Sequence, residues 1–158
     1  MKRRLLLLLA VATVSVAAGA VAIGSAVAAN RPRRASSGAA TVSTGHTKKL
    51  GTFLVSGTGR TLYLFEKDRK NHSNCSGACA AAWPPLLTKA RAKAVHGARA
   101  NMLGTATRRG GEQVTYAGHP LYMFSGDKKP GQTNGQGSKA FGAAWYVVAP
   151  NGKKVDKS

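Results

Sequence analysis

This sequence predicts a mainly β fold: a single small domain of two tandem hairpin-based repeats sharing one core, with long polar loops and at most short helices. Three observations predict it. Thr61-Leu62-Tyr63-Leu64-Phe65-Glu66-Lys67-Asp68 returns as Pro120-Leu121-Tyr122-Met123-Phe124-Ser125-Gly126-Asp127, at an offset of 59 residues. A repeated unit reports architecture before it reports chemistry. The repeated segments are short, apolar and rich in β-branched and aromatic residues, which is strand composition. Glycine-containing turns separate them at hairpin spacing. The correspondence continues outward, pairing Val55 with Val114, Gly59 with Gly118, and Ala81-Ala82-Trp83 with Ala143-Ala144-Trp145.

The chain opens outside this domain. Lys2, Arg3 and Arg4 precede an uncharged apolar stretch, Leu5 to Ala29, that closes on Ala26-Val27-Ala28-Ala29. A basic n-region, an apolar h-region and a small-residue cleavage site read as a signal peptide over residues 1–29. The stretch is also long enough to span a bilayer, so an uncleaved anchor is the alternative. Arg31, Arg33 and Arg34 match the basic charge on its inner side, so no positive-inside bias holds an anchor, and cleavage is the preferred reading. Either way the remainder is exported. Residues 30–49, rich in Ser, Thr, Gly, Ala and Arg, read as a flexible basic tether. The folded domain then covers residues 50–155, with repeat one at about 50–87, a connector at 88–101 and repeat two at about 102–150.

Within repeat one, Gly51 to Val55 reads as a strand, Ser56-Gly57-Thr58-Gly59 as a turn, and Thr61 to Phe65 as a second strand. That second strand is apolar on both faces, so it must be covered on both sides. A polar loop runs to Cys79, Ala78 to Trp83 reads as one helical turn, and Pro84-Pro85 ends it. Thr88 to Asn101, mostly Ala, Lys and Arg, reads as an exposed connector, in part helical. In repeat two, Met102 to Thr107 and Gln113 to Tyr116 read as strands around an Arg108-Arg109-Gly110-Gly111 turn. Leu121 to Phe124 is the repeated strand, Asp127 to Lys139 a Gly-, Lys- and Gln-rich loop, and Trp145 to Ala149 the last strand.

Charge narrows the partners. The chain carries 24 Lys and Arg against 5 Asp and Glu, a net of +19. Without Lys2, Arg3 and Arg4 the balance is 21 against 5, or +16. Such a surface attracts polyanions over roughly a Debye length. For an exported protein these are anionic lipid headgroups or cell-envelope polymers; nucleic acid is not expected outside the cell. Contact with a membrane is expected only through export or the uncleaved apolar segment. Nothing in the sequence assigns an oligomeric state.

The repeated Tyr-x-Phe-x-x-Asp element offers two readings. Tyr63 and Phe65 share one strand face, as do Tyr122 and Phe124. As structure, they are paired core aromatics joined by Trp83 and Trp145, with each tyrosine hydroxyl finding a partner and Asp68 and Asp127 bonding within their own loops. As chemistry, the aspartates form a pseudo-symmetric acid/base or metal pair. The flanking Lys67, Arg69, Lys128 and Lys129 favour ionised carboxylates, which are poor general acids, so the structural reading is preferred and no catalytic residue or cofactor is assigned. Cys75 and Cys79, in an exported chain, read as a disulfide that shapes a small loop. The alternative is a copper-like metal or thiol-redox site using Cys75 and Cys79 with His72. His46, His72, His96 and His119 show no ligand spacing. Gly126 to Thr133 lacks the lysine of a phosphate loop, and Asp127 to Ser138 lacks the alternating acids of a calcium loop.

Taken jointly, Leu62-Tyr63-Leu64-Phe65-x-x-Asp68, Cys75-x-x-x-Cys79-Ala80-x-x-Trp83-Pro84-Pro85-Leu86, Gln113-Val114-Thr115-Tyr116-x-Gly118-x-Pro120-Leu121-Tyr122-x-Phe124-x-x-Asp127, Gly131-Gln132-Thr133-Asn134-Gly135-Gln136-Gly137 and Trp145 resemble a family of bacterial secreted repeat proteins. It is the secreted repeat of unknown function, also described as a predicted lipoprotein family with a Tyr-x-(Phe/Trp/Tyr)-x-x-Asp motif. The resemblance covers about Leu50 to Pro150 and implies export and two tandem repeats. It implies no enzyme activity, cofactor or substrate. Many members carry a lipidated cysteine after the signal; here no cysteine precedes Cys75, so that route of anchoring is not expected.

Overall fold

Period-two alternation along the repeated strands sets the architecture. The computed structural model describes residues 38–157. Within them run β1 (Ala39–Thr47), β2 (Gly51–Ser56), β3 (Tyr63–Phe65), α1 (Ala78–Ala82), β4 (Leu87–Thr88), β5 (Ala90–Ala94), β6 (Leu103–Arg108), β7 (Gly111–Tyr116), β8 (His119–Pro120) and β9 (Trp145–Val147), with short 3-10 turns at Ala100–Met102 and Ala140–Gly142. The fold is mainly β with short helices, and two hydrophobic clusters lie on the two sides of the repeated strands. Tyr63 and Phe65 enter one, with Phe53, Val55, Trp83, Tyr122, Trp145 and Val147. Leu62 and Leu64 enter the other, with Leu54, Val114, Leu121 and Val148. A strand apolar on both faces is thus covered on both.

Three sheets result, in the orders β2-β1-β5, β3-β9 and β4-β7-β6, with β8 added to β7. Two segments differ from the sequence reading. The leader and residues 30–37 of the expected tether lie outside the described residues, but residues 39–47 of that tether form β1. It pairs antiparallel with β2, from Val42 with Ser56 to Thr47 with Gly51. Its small polar residues suit a strand because Val42 alone anchors it fully in the core, while a neighbour on each side satisfies its backbone. The expected connector likewise is mostly strand, holding Thr88 of β4 and all of β5, and its helical part is the 3-10 turn that starts at Ala100. β5 pairs parallel with β1 and forms the sheet edge, with Arg91 and Lys93 exposed. Charged side chains on an edge strand guard it against further pairing; helix propensity yields here to the β1 ladder.

The repeats exchange their final segments. β4 follows Trp83 of repeat one yet pairs with β7 of repeat two, while β9 of repeat two pairs with β3 of repeat one. Each exchange closes a ring of three backbone hydrogen bonds. Leu62 N–H donates to Leu54 C=O (3.0 Å), Leu54 N–H to Val148 C=O (2.7 Å) and Val148 N–H to Leu62 C=O (3.3 Å). In the other half, Leu121 N–H donates to Val114 C=O (2.9 Å), Val114 N–H to Leu86 C=O (2.8 Å) and Leu86 N–H to Leu121 C=O (2.9 Å). All six residues are buried, so each ring satisfies backbone groups that water cannot reach.

In the first cluster the aromatic side chains form one column. Trp83 and Trp145 stack with centroids 3.9 Å apart, and Phe65 (4.1 Å from Trp145) and Phe124 (4.4 Å from Trp83) extend the column at its ends. Tyr63 meets Trp83 edge-on at 5.3 Å, and Tyr122 meets Trp145 edge-on at 5.2 Å. Such contacts contribute about 0.5–1.5 kcal/mol each beyond burial. Gly135 closes over the column: a Cβ there would lie 2.6 Å from Trp83 Cη2 and 3.1 Å from Tyr63 Cζ. Gly135→Ala is expected to destabilise the domain by about 1–3 kcal/mol through overpacking, read from urea denaturation; an unchanged midpoint would contradict this packing.

Candidate functional site

The repeated motif converges on the junction of the repeats. Tyr63 and Tyr122 pair antiparallel, Tyr63 N–H donating to Tyr122 C=O (2.8 Å) and Tyr122 N–H to Tyr63 C=O (3.0 Å). Their side chains then cross over. Tyr63 Oη donates to Asp127 Oδ2 at 2.7 Å, and Tyr122 Oη donates to Asp68 Oδ2 at 2.7 Å. Each repeat's tyrosine is held by the other repeat's aspartate. The second oxygen of each aspartate serves its own loop, Asp68 Oδ1 accepting from Asn74 N–H (2.6 Å) and Asp127 Oδ1 from Asn134 N–H (2.9 Å).

Electrostatics differ between the two pairs. Asp127 is fully buried, while Asp68 is half-buried. Burial is the largest influence on Asp68 and pushes its carboxyl above the ordinary value, against the Asn74 amide, the Tyr122 hydroxyl and the charges of Arg108 and His72. The charge of Arg108, from repeat two, is among those that favour the ionised carboxylate. Burial also drives both tyrosine hydroxyls well above their usual range, and the facing carboxylates add to it. A hydroxyl so shifted stays protonated and donates, so neither tyrosine is poised as a nucleophile or base.

A supporting network surrounds these pairs. Arg108 donates to Gln113 Oε1 (2.8 Å), Cys75 C=O (2.9 Å) and Ser73 Oγ (3.3 Å), and Gln113, itself buried, donates to Leu121 C=O (2.8 Å). Ser73 also bonds the Tyr122 hydroxyl at 2.7 Å. Arg60 donates to Phe124 C=O, and its charge bears on Tyr63. Cys75 and Cys79 form a disulfide with Cα atoms 5.3 Å apart, packed in the cluster of Trp83 and Tyr122. Both sulfurs are thereby used, so the alternative of a metal or thiol site with the exposed His72 has no thiolate in this state. Among the described residues, no group of three or more His, Cys, Asp or Glu side chains is arranged to hold a metal ion.

Half-buried Asp68 also borders a cleft of about 510 Å³, lined further by Leu64, Phe65, Glu66, His119, Lys153, Lys154 and Asp156. Lys154 bridges Glu66 (2.7 Å) and Asp156 (3.2 Å), and its ammonium is pushed up to about 12, first by the Glu66 bond. His119 is lowered by burial, with the Asp68 charge opposing. A second cleft, of about 360 Å³, lies between β5 and β6 with Lys89, Arg91 and Glu112 in its walls.

Sequence reading named the two aspartates and the aromatics but placed each aspartate only in its own loop. It missed Arg108, Gln113, Ser73 and Arg60. Asn74 and Asn134, six and seven residues past their aspartates, were the available signal, because an Asp side chain that accepts from a following amide makes a loop-closing turn.

A family model described as a secreted repeat of unknown function matches residues 45–87 and 104–149. The chain belongs to that family. No curated protein and no solved structure matches the chain. As a secreted repeat protein, it has its two matched segments beginning inside β1 and β6, at Gly45 and Gly104, which stand 59 residues apart like the motif itself. The matched segments thus coincide with the two exchanged halves of the fold.

Because the folded-state pKa of Asp68 lies above its unfolded value, the folded form holds that proton more tightly. The contribution of Asp68 to stability is therefore greatest in acid and falls as pH rises from about 4 through the folded value. Asp68→Asn keeps an oxygen for the Asn74 amide and removes this titration. Urea denaturation from pH 4 to 7 should show wild type losing ground to the variant as pH rises; parallel curves would contradict the assignment.

Proposed function

We propose that this secreted repeat protein is a non-enzymatic binding or structural domain of the cell surface that associates with anionic envelope components through its basic exterior. The partition of charge supports the reading. All five acidic side chains are engaged: Asp68 and Asp127 by tyrosines, Glu112 by the Thr107 hydroxyl (2.7 Å), and Glu66 and Asp156 by Lys154. Residues 38–157 hold 18 lysines and arginines, and among the described residues Lys154 alone pairs with a carboxylate. The cationic charge of Lys48, Lys49, Lys70, Lys89, Arg91 and Lys93 is exposed and uncompensated within the fold. A domain that engages every acid and leaves most of its bases without a carboxylate partner is suited to a polyanionic surface. The aspartate pairs, committed to tyrosine and amide donors, do not favour acid/base chemistry.

Envelope fractions of cells expressing the protein should retain it at low ionic strength. Washing at about 1 M salt, where the Debye length falls to about 3 Å, should release most of it, as read by immunoblot of pellet and wash. Retention indifferent to salt would contradict the electrostatic association.

A further inference from the structure

The symmetry of the repeats fails where repeat one carries its disulfide, and in repeat two a partly exposed aromatic side chain stands there. Trp83 and Trp145 are equivalent at an offset of 62, which sets Phe141 against Cys79. In repeat one this position is buried in α1 and tied to Cys75. In repeat two the corresponding turn, Ala140–Gly142, breaks at Phe141, whose backbone adopts φ 62° and ψ 26°. The left-handed region is strained for a bulky residue. Phe141 is also 42% exposed, although its neighbour Ala140 is fixed to the core by the Trp145 indole N–H (3.0 Å). The left-handed backbone works against folding, and glycine would adopt it without strain, so backbone conformation does not account for a phenylalanine here.

The surroundings of this ring are cationic. Lys139 is exposed two residues before it, and the Lys67 ammonium lies over Gly142, 3.7 Å from where a Cβ would stand. An apolar tip with ammonium groups at its base matches the boundary of an anionic bilayer, where the ring enters beside the acyl chains and the lysines meet headgroup phosphates. A polysaccharide, by contrast, is held by directional hydrogen bonds to its hydroxyls. The flanking groups here are flexible point charges, which do not supply such a fixed pattern. We propose that Phe141, with Lys67 and Lys139, forms a membrane-contact site for anionic lipid headgroups. The proposal rests on the envelope-binding reading above and gives that reading a location and a partner.

The test uses the protein in the form the cell exports, sedimented with vesicles of phosphatidylcholine alone or mixed with phosphatidylglycerol. Wild type should bind the anionic vesicles and not the neutral ones. Phe141→Gly should weaken that binding by about tenfold or more while raising the melting temperature, because it relieves strain. Lys139→Gln and Lys67→Gln should each weaken it by about fivefold. If the glycine variant fails to fold, Phe141→Asn, which tolerates the same backbone region, carries the same expectation of lost binding. Variants that bind like wild type would overturn the Phe141 site and leave the electrostatic reading standing. Capture by a purified phosphate-rich wall polymer but not by anionic vesicles would overturn the lipid assignment alone. Failure of wild type to bind any anionic surface would overturn both.

Discussion

The crossed tyrosine–aspartate pairs are the constraint on which the rest of the structure depends. Tyr63 and Tyr122 meet backbone to backbone, and each hydroxyl then donates to the carboxylate of the other repeat. A buried carboxylate short of donors costs several kcal/mol, so Asp127, buried with one oxygen facing Tyr63, depends on the opposite repeat to complete its bonds. The Asp-to-Asn turns fix the loops behind the aspartates, and those loops carry Ser73 and Gly135 onto the tyrosines. The exchanged strands β4 and β9 follow the same logic, since each three-membered ring of backbone bonds takes one member from the other half.

That interlock also explains how so strongly charged a chain maintains a core. Two of the acids, Asp68 and Asp127, are spent at the seam on hydroxyls and amides. The other three are engaged at the surface by Thr107 and Lys154, while most of the bases point outward. Two arginines are exceptions, and both serve the seam: Arg108 ties Gln113 and the Cys75 carbonyl beneath the Asp68–Tyr122 pair, and Arg60 lies beside the Asp127–Tyr63 pair. The disulfide, closing a loop only four residues apart in sequence, shapes the wall against Trp83 rather than linking distant parts.

Much of this was legible in the sequence because strand alternation is a local signal. Tyr63 and Phe65 against Leu62 and Leu64 identified two core faces, and the recurring tryptophans marked the aromatic column. What stayed hidden was non-local. No pattern within Leu86-Leu87-Thr88 says that it pairs with Gln113 and Glu112 rather than with its own repeat, and nothing beside Asp68 reveals that its carboxylate accepts from Tyr122. β1 was missed for a different reason. Thr41 to Thr47 has the composition of a linker, and its strand character comes from partners on both sides; extending the offset of 59 upstream from Gly104 to Gly45 would have exposed it. Phe141 carries no local pattern, and in the sequence only its departure from the repeat sets it apart.

If the repeats complete each other, neither should fold alone. Expressing residues 38–97 and 98–158 as separate chains, cut at the exposed turn of His96 and Gly97, tests this most directly. Near-ultraviolet circular dichroism of the tryptophan stack should be absent from each half and appear, with a cooperative melt, when the halves are mixed in equal amounts. A half that shows its own cooperative transition, or a mixture that shows none beyond the sum of its parts, would contradict the interlocked fold.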